Sequence, residues 1–139
     1  MADIQFLIDK SLPLAEKLLK EYGEYYPFAF ALNIDNSIVG VGHHDSNDHP
    51  DSKVVIKNLK TELNREIAKQ GIKAIAIFYD VRTTEPKTSQ KTDAIAAFVE
   101  HKIGRSSFTF YYPYKLTNSK ELTFSESFGG ATEKEMFVK

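Results

Sequence analysis

Residues 27–41, PFAFALNIDNSIVGV, decide the fold. Phe28, Phe30, Leu32 and Ile34 recur with a period of two, and the small Ala29 and Ala31 alternate with them. In an extended strand that period sends the bulky side chains to one face and the alanines to the other. Asp35-Asn36-Ser37 interrupts the pattern with residues that favour turns. Ile38, Val39 and Val41 then resume it, with Gly40 and Gly42 interleaved. The stretch predicts a β-hairpin. Glycine inside a strand marks a bulge or the close approach of another backbone.

Upstream, Ile4, Leu7, Ile8, Leu14 and Leu18 keep helical spacing through residues 2–22, broken at Pro13. This predicts either one kinked helix or two, the second capped by Ser11. Gly23 stands where a left-handed residue closes a helix. Downstream, Ser52 reads as the N-cap of a helix carried by Val55, Leu59, Leu63 and Ile67 and ended by Gly71. Glu62 with Arg65 and Glu66 with Lys69 pair on its outer face. Residues 72–81 are apolar on both faces, as in a central strand. Residues 83–92, rich in Thr, Lys and Ser around Pro86, read as a mobile loop. Strands follow at 94–103 and 107–112, with a weaker one at 122–128. Gly129-Gly130 opens a charged tail, 131–139, expected to be partly frayed.

The order is α-β-β-α-β-β-β, with room for one more strand. Hairpins join neighbours and a helix makes the one long crossover. The expectation is an α+β domain over residues 1–139, with a single antiparallel sheet of five to six strands and both helices on one face. The order resembles the roadblock and profilin-like architecture.

A more local resemblance rests on Gly23-Glu24-Tyr25-Tyr26-Pro27-Phe28-Ala29, on Asp35-Asn36 in the hairpin, on Glu100-His101-Lys102 and on Pro113-Tyr114. These residues resemble a group of small uncharacterised bacterial proteins with a G-E-F-Y-P-F-A motif, a D-G hairpin, a strand ending in E-H, and a P-Y. Asn36 stands where that pattern has glycine. The resemblance implies no particular activity.

Composition excludes several classes. The 139 residues carry 18 Lys plus Arg against 19 Asp plus Glu, and 42% are hydrophobic, so wholesale disorder is excluded. With no cysteine there is neither a disulfide scaffold nor thiol chemistry. Apolar runs fall far short of the roughly 18 residues of a membrane span, and no basic segment precedes the first apolar stretch as in a signal peptide. A cytoplasmic protein with no membrane association is expected. Residues 52–71 hold five Lys or Arg against two Glu, net +3, which reads as a solvated face. With the near-neutral charge, that makes nucleic acid an unlikely partner.

Three candidate sites emerge. The loop 43–51 gathers three of the four histidines with interleaved aspartates. His43, Asp45, Asp48 and His49 are the residue types that hold a divalent metal, although no recognised ligand spacing is present. Equally, the loop is a polar connector that caps the next helix. His101 shares a strand face with Ile95, Ala97, Val99 and Ile103, which reads as a packed histidine or as a general base or pH-sensitive interface residue. Tyr25, Tyr26, Tyr111 and Tyr114 belong to aromatic sets that either cover the core or form a contact surface. Glu24 and Asp80 pair only if the fold brings them together. A ligand cavity lined by Ala29, Ala31, Ala74 and Ala76 is a further possibility, as is close helix packing on the same alanines. No nucleophile motif or phosphate-binding glycine loop is present. The functional expectation is a non-catalytic protein-interaction module of adaptor or immunity type, binding a protein partner or itself as a homodimer, without a cofactor. The alternative is a metal-binding protein or metal-dependent hydrolase built on the 43–51 loop.

Overall fold

The structure is a computed structural model that describes residues 2–41, 51–69 and 71–137. In chain order it has α1 (Ala2–Tyr22), β1 (Phe28–Asn33), β2 (Ile38–Val41), α2 (Ser52–Ala68), β3 (Ile72–Thr84), β4 (Lys91–His101), β5 (Ser106–Leu116), β6 (Leu122–Phe124) and β7 (Phe128–Glu133). The sheet is antiparallel throughout, in the order β2-β1-β3-β4-β5-β6, and β7 joins the free edge of β5 beside β6. The α+β class and the single antiparallel sheet match the expectation. The strand count is seven, because Gly129 and Gly130 lie inside β7 rather than opening a tail.

The helices, expected on one face, take opposite faces. Leu7, Ala15 and Leu19 of α1 pack with Leu32, Ala74, Ala76, Phe78, Ala97 and Val99. Val55, Leu59 and Leu63 of α2 pack with Ala29, Ala31, Ile75 and Ile77. The reason lies in β3, whose alternate residues are apolar on both sides, so each side needs its own cover. Truncating a fully buried leucine such as Leu59 or Leu63 would cost about 2–5 kcal/mol. Because Ala29 and Ala31 face α2 while Ala74 and Ala76 face α1, the four alanines cannot line one cavity. They let a helix approach the sheet closely on each side.

Local departures have local causes. Helix α1 is continuous through Pro13, and Ser11 is buried within it with no partner for its hydroxyl, so it is not a cap. Gly23 takes φ +77°, the left-handed close expected of it. Asp51 rather than Ser52 caps α2, accepting the Lys53 N–H, and the helix ends at Ala68, before Gly71. Both expected ion pairs on α2 form. Asn36, at φ +72°, makes the turn of the first hairpin, and the register shift after Leu32 leaves Ile34 outside β1 and 63% exposed. The supposed mobile loop shrinks to a closed turn: β3 and β4 pair out to Thr84 and Lys91, and the Glu85 N–H donates to the Gln90 carbonyl. No helix of the described residues is long and apolar enough to cross a membrane.

Candidate functional site

A concavity lies where α1 ends and the sheet begins. Leu14, Leu18 and Tyr22 fall four residues apart, so α1 presents them in one row. Gly23 then reverses the chain, and Glu24, Tyr25, Tyr26 and Phe28 form the facing wall, with Ser52 at its rim. The cleft encloses about 520 Å³. Tyr22 is 70% exposed and Tyr26 50%, which is a large apolar area to leave in water. Tyr25 is buried, and its ring packs on Phe28 at 5.6 Å; Phe28 in turn stacks on Phe78 at 5.3 Å. The floor is therefore rigid and the rim open. Among the described residues, Glu24 is the one charged side chain in the lining.

Behind this floor, the Tyr114 hydroxyl donates to Asp80 Oδ1 at 2.7 Å. Burial pushes the Asp80 carboxyl above the usual carboxylate range; the Tyr114 bond opposes the rise, and the charges of Asp93 and Glu24 add to it. Glu24 and Asp80 are thus electrostatic neighbours. Burial, and then the Asp80 carboxylate, push the Tyr25 hydroxyl upward, and that hydroxyl has no hydrogen-bond partner. Desolvation and the bond to Asp80 push Tyr114 up as well.

The four interface candidates therefore separate. Tyr25 and Tyr26 line the cleft, whereas Tyr114 is buried behind it and offers no contact surface. Tyr111 belongs to the opposite sheet face, stacked on Phe128 at 5.1 Å. Its bond to the Tyr79 hydroxyl, together with desolvation as the larger cause, pushes Tyr79 up to about 12.

His101 sits at the other end of the sheet. Its Nδ1 accepts the Ile103 N–H at 3.1 Å, so Nε2 carries the proton and donates to Asp3 Oδ2 at 2.9 Å. That bond to His101 holds the Asp3 carboxyl below its usual range, with Lys73 assisting and burial opposing. Both ring nitrogens are thus engaged within the chain. Ile103, expected on the same packed face, is 85% exposed.

Sequence reasoning missed Glu100, which is fully buried. Its carboxylate accepts the Ser107 hydroxyl at 2.5 Å and the backbone N–H groups of Glu135, Met136 and Phe137 at 2.8, 2.7 and 2.5 Å. Met136 is buried beside Phe98 in the α2-side core, and Lys60 of α2 pairs with Glu135 at 2.5 Å. The segment expected to fray is therefore strapped down as far as Phe137. The available signal was the alternation of Ala94, Ala96 and Phe98 with Glu100 on one buried face.

His43, Asp45, Asp48 and His49, the candidate metal ligands, lie outside the described residues. Among the described residues, no group of three or more His, Asp or Glu side chains is placed to hold a metal ion. No protein-family model, curated protein or solved structure matches the chain.

Proposed function

We propose that this protein is an adaptor-type binding domain whose contact site is the cleft of Leu14, Leu18, Tyr22, Tyr25, Tyr26 and Phe28. The observation that carries the reading is the exposure of Tyr22 and Tyr26 beside a buried aromatic floor. Rigid tyrosines lose little side-chain freedom on binding and are enriched at contact sites. The occupant follows from charge: apolar walls with Glu24 at the edge and Asp80 behind it suit a protein segment that carries an aromatic or leucine side chain next to a Lys or Arg.

A peptide array probed with the purified protein tests this. Bound peptides should pair an apolar anchor with a basic residue. Tyr22→Ala and Leu14→Asp should each weaken them at least about tenfold, as loss of an interface anchor does. Selection of acidic peptides, binding indifferent to both variants, or an array without binders overturns the reading.

A further inference from the structure

Strand β2 is the last strand on its side of the sheet. Its pairs with β1 run Leu32 with Ile38, Ala31 with Val39, Phe30 with Gly40 and Ala29 with Val41, without a bulge. The hairpin closes with the Asn33 N–H donating to the Ser37 carbonyl at 2.8 Å. Antiparallel pairs alternate between those that exchange hydrogen bonds and those that do not. Counting from Asn33 and Ser37, Val39 and Val41 turn their backbone groups toward β1. Ile38 and Gly40 turn theirs outward, where the described residues place no strand.

Edge strands are ordinarily blunted by a charge, a proline or a bulge. Strand β2 is short, at four residues, but has none of these, and Val39 is 40% exposed. Gly40 is the second oddity. Its φ is not positive, and a Cβ built there would lie 3.5 Å from the Phe30 ring, an ordinary contact. Neither backbone conformation nor crowding among the described residues calls for glycine at this position. The remaining use of a strand glycine is to admit another backbone or side chain.

We propose that β2 is a self-pairing edge, through which two copies of this chain join antiparallel about a two-fold axis at Val39 and continue one sheet into the other. In this register Val39 meets its own counterpart, and Ile38 meets the glycine of the other copy. The outward N–H and C=O of Ile38 face the outward C=O and N–H of Gly40, donor to acceptor, once on each side of the axis. Such a contact is self-complementary, as a two-fold interface must be. No charged side chain lies on the strand to oppose its copy. The missing side chain of Gly40 leaves Ile38 room beside Phe30. The pairing uses none of the cleft residues, so it and the binding reading can fail separately.

The absence of native cysteines makes a sharp test possible. Val39 and its counterpart form a pair without mutual hydrogen bonds, with Cα atoms about 4.5 Å apart, inside the roughly 4.4–6.8 Å range of a disulfide. Under mild oxidation Val39→Cys should cross-link to a dimer at least about tenfold faster than Ile34→Cys, although Ile34 is the more exposed residue at 63%. Light scattering of the unmodified protein should give a dimer mass. Gly40→Pro removes only an outward N–H and should yield a folded monomer whose melting temperature no longer depends on protein concentration; Val39→Lys should do the same. A monomeric wild type, equal cross-linking of the two cysteine variants, or a dimer that survives Gly40→Pro and Val39→Lys in folded protein overturns the proposal.

Discussion

The carboxylate of Glu100 accepts the backbone N–H of Met136 at 2.7 Å, across 36 residues of chain. Two neighbouring amides and the Ser107 hydroxyl converge on the same group. A fully buried carboxylate is costly unless its lone pairs are used, and here four donors use them. The bonds run to main chain, so the strap is held by its path more than by its side chains.

Replacing Glu100 should therefore release the C-terminal segment before it disturbs the sheet. Glu100→Ala strands three amides and a hydroxyl, and a loss of about 3 kcal/mol or more is expected in denaturant unfolding. Hydrogen exchange at the amides of Glu135, Met136 and Phe137 should accelerate well beyond that of β3. Glu100→Gln keeps the volume but turns an NH₂ group toward donors, so it should rescue only part of the loss. Unchanged exchange at those three amides in Glu100→Ala would show that Met136 alone anchors the strap.

The strap also marks where sequence reading stops. The first hairpin, the bodies of β3, β4 and β5, α2 and its ion pairs follow from periodicity, because each pattern is completed within a few residues of chain. The two-faced apolar pattern of residues 72–81 already required cover on both sides of the sheet, yet short connections argued for helices on one side. Glu100 was missed because its partners are backbone amides, which carry no residue-type signal, and because they lie more than thirty residues away. The cleft was half legible. Tyr25 and Tyr26 stood out by composition. That Tyr114 would turn inward to Asp80 and Tyr111 to the opposite face depends on strand phase and register, which local spacing does not fix.

The path of β7 rests on a glycine. A Cβ on Gly129 would come within 2.7 Å of Phe110 Cδ1 and 2.8 Å of the Thr109 carbonyl oxygen, and the latter is backbone that cannot rotate away. Gly130 has nothing within 4 Å of the same position. Gly129→Ala should push β7 off β5 and cost about 1–3 kcal/mol, as overpacking does. Gly130→Ala should stay within about 0.5 kcal/mol of the parent. Chemical denaturation of this matched pair reads the difference directly, and equal midpoints would show that β7 shifts without penalty.

Asp80 gives the fold a pH dependence of definite sign. Burial, partly opposed by the Tyr114 bond, holds its carboxyl above the ordinary value of 3.8, so the folded state binds the proton more tightly than the unfolded chain does. Its contribution is then neutral below the unfolded value, falls as pH rises between the unfolded and folded values, and stands wholly as a cost above the folded value. Asp80→Asn removes the buried charge and keeps an oxygen to accept from Tyr114. The variant should be at least as stable as the parent at neutral pH, and as pH rises above the ordinary carboxylate value its denaturant midpoint should decline less. If Asp80→Asn instead loses more than about 1 kcal/mol at neutral pH, the charged form of the hydrogen bond to Tyr114 outweighs its desolvation, and the acidic ground behind the cleft is a stabilising element rather than a cost carried at a binding site.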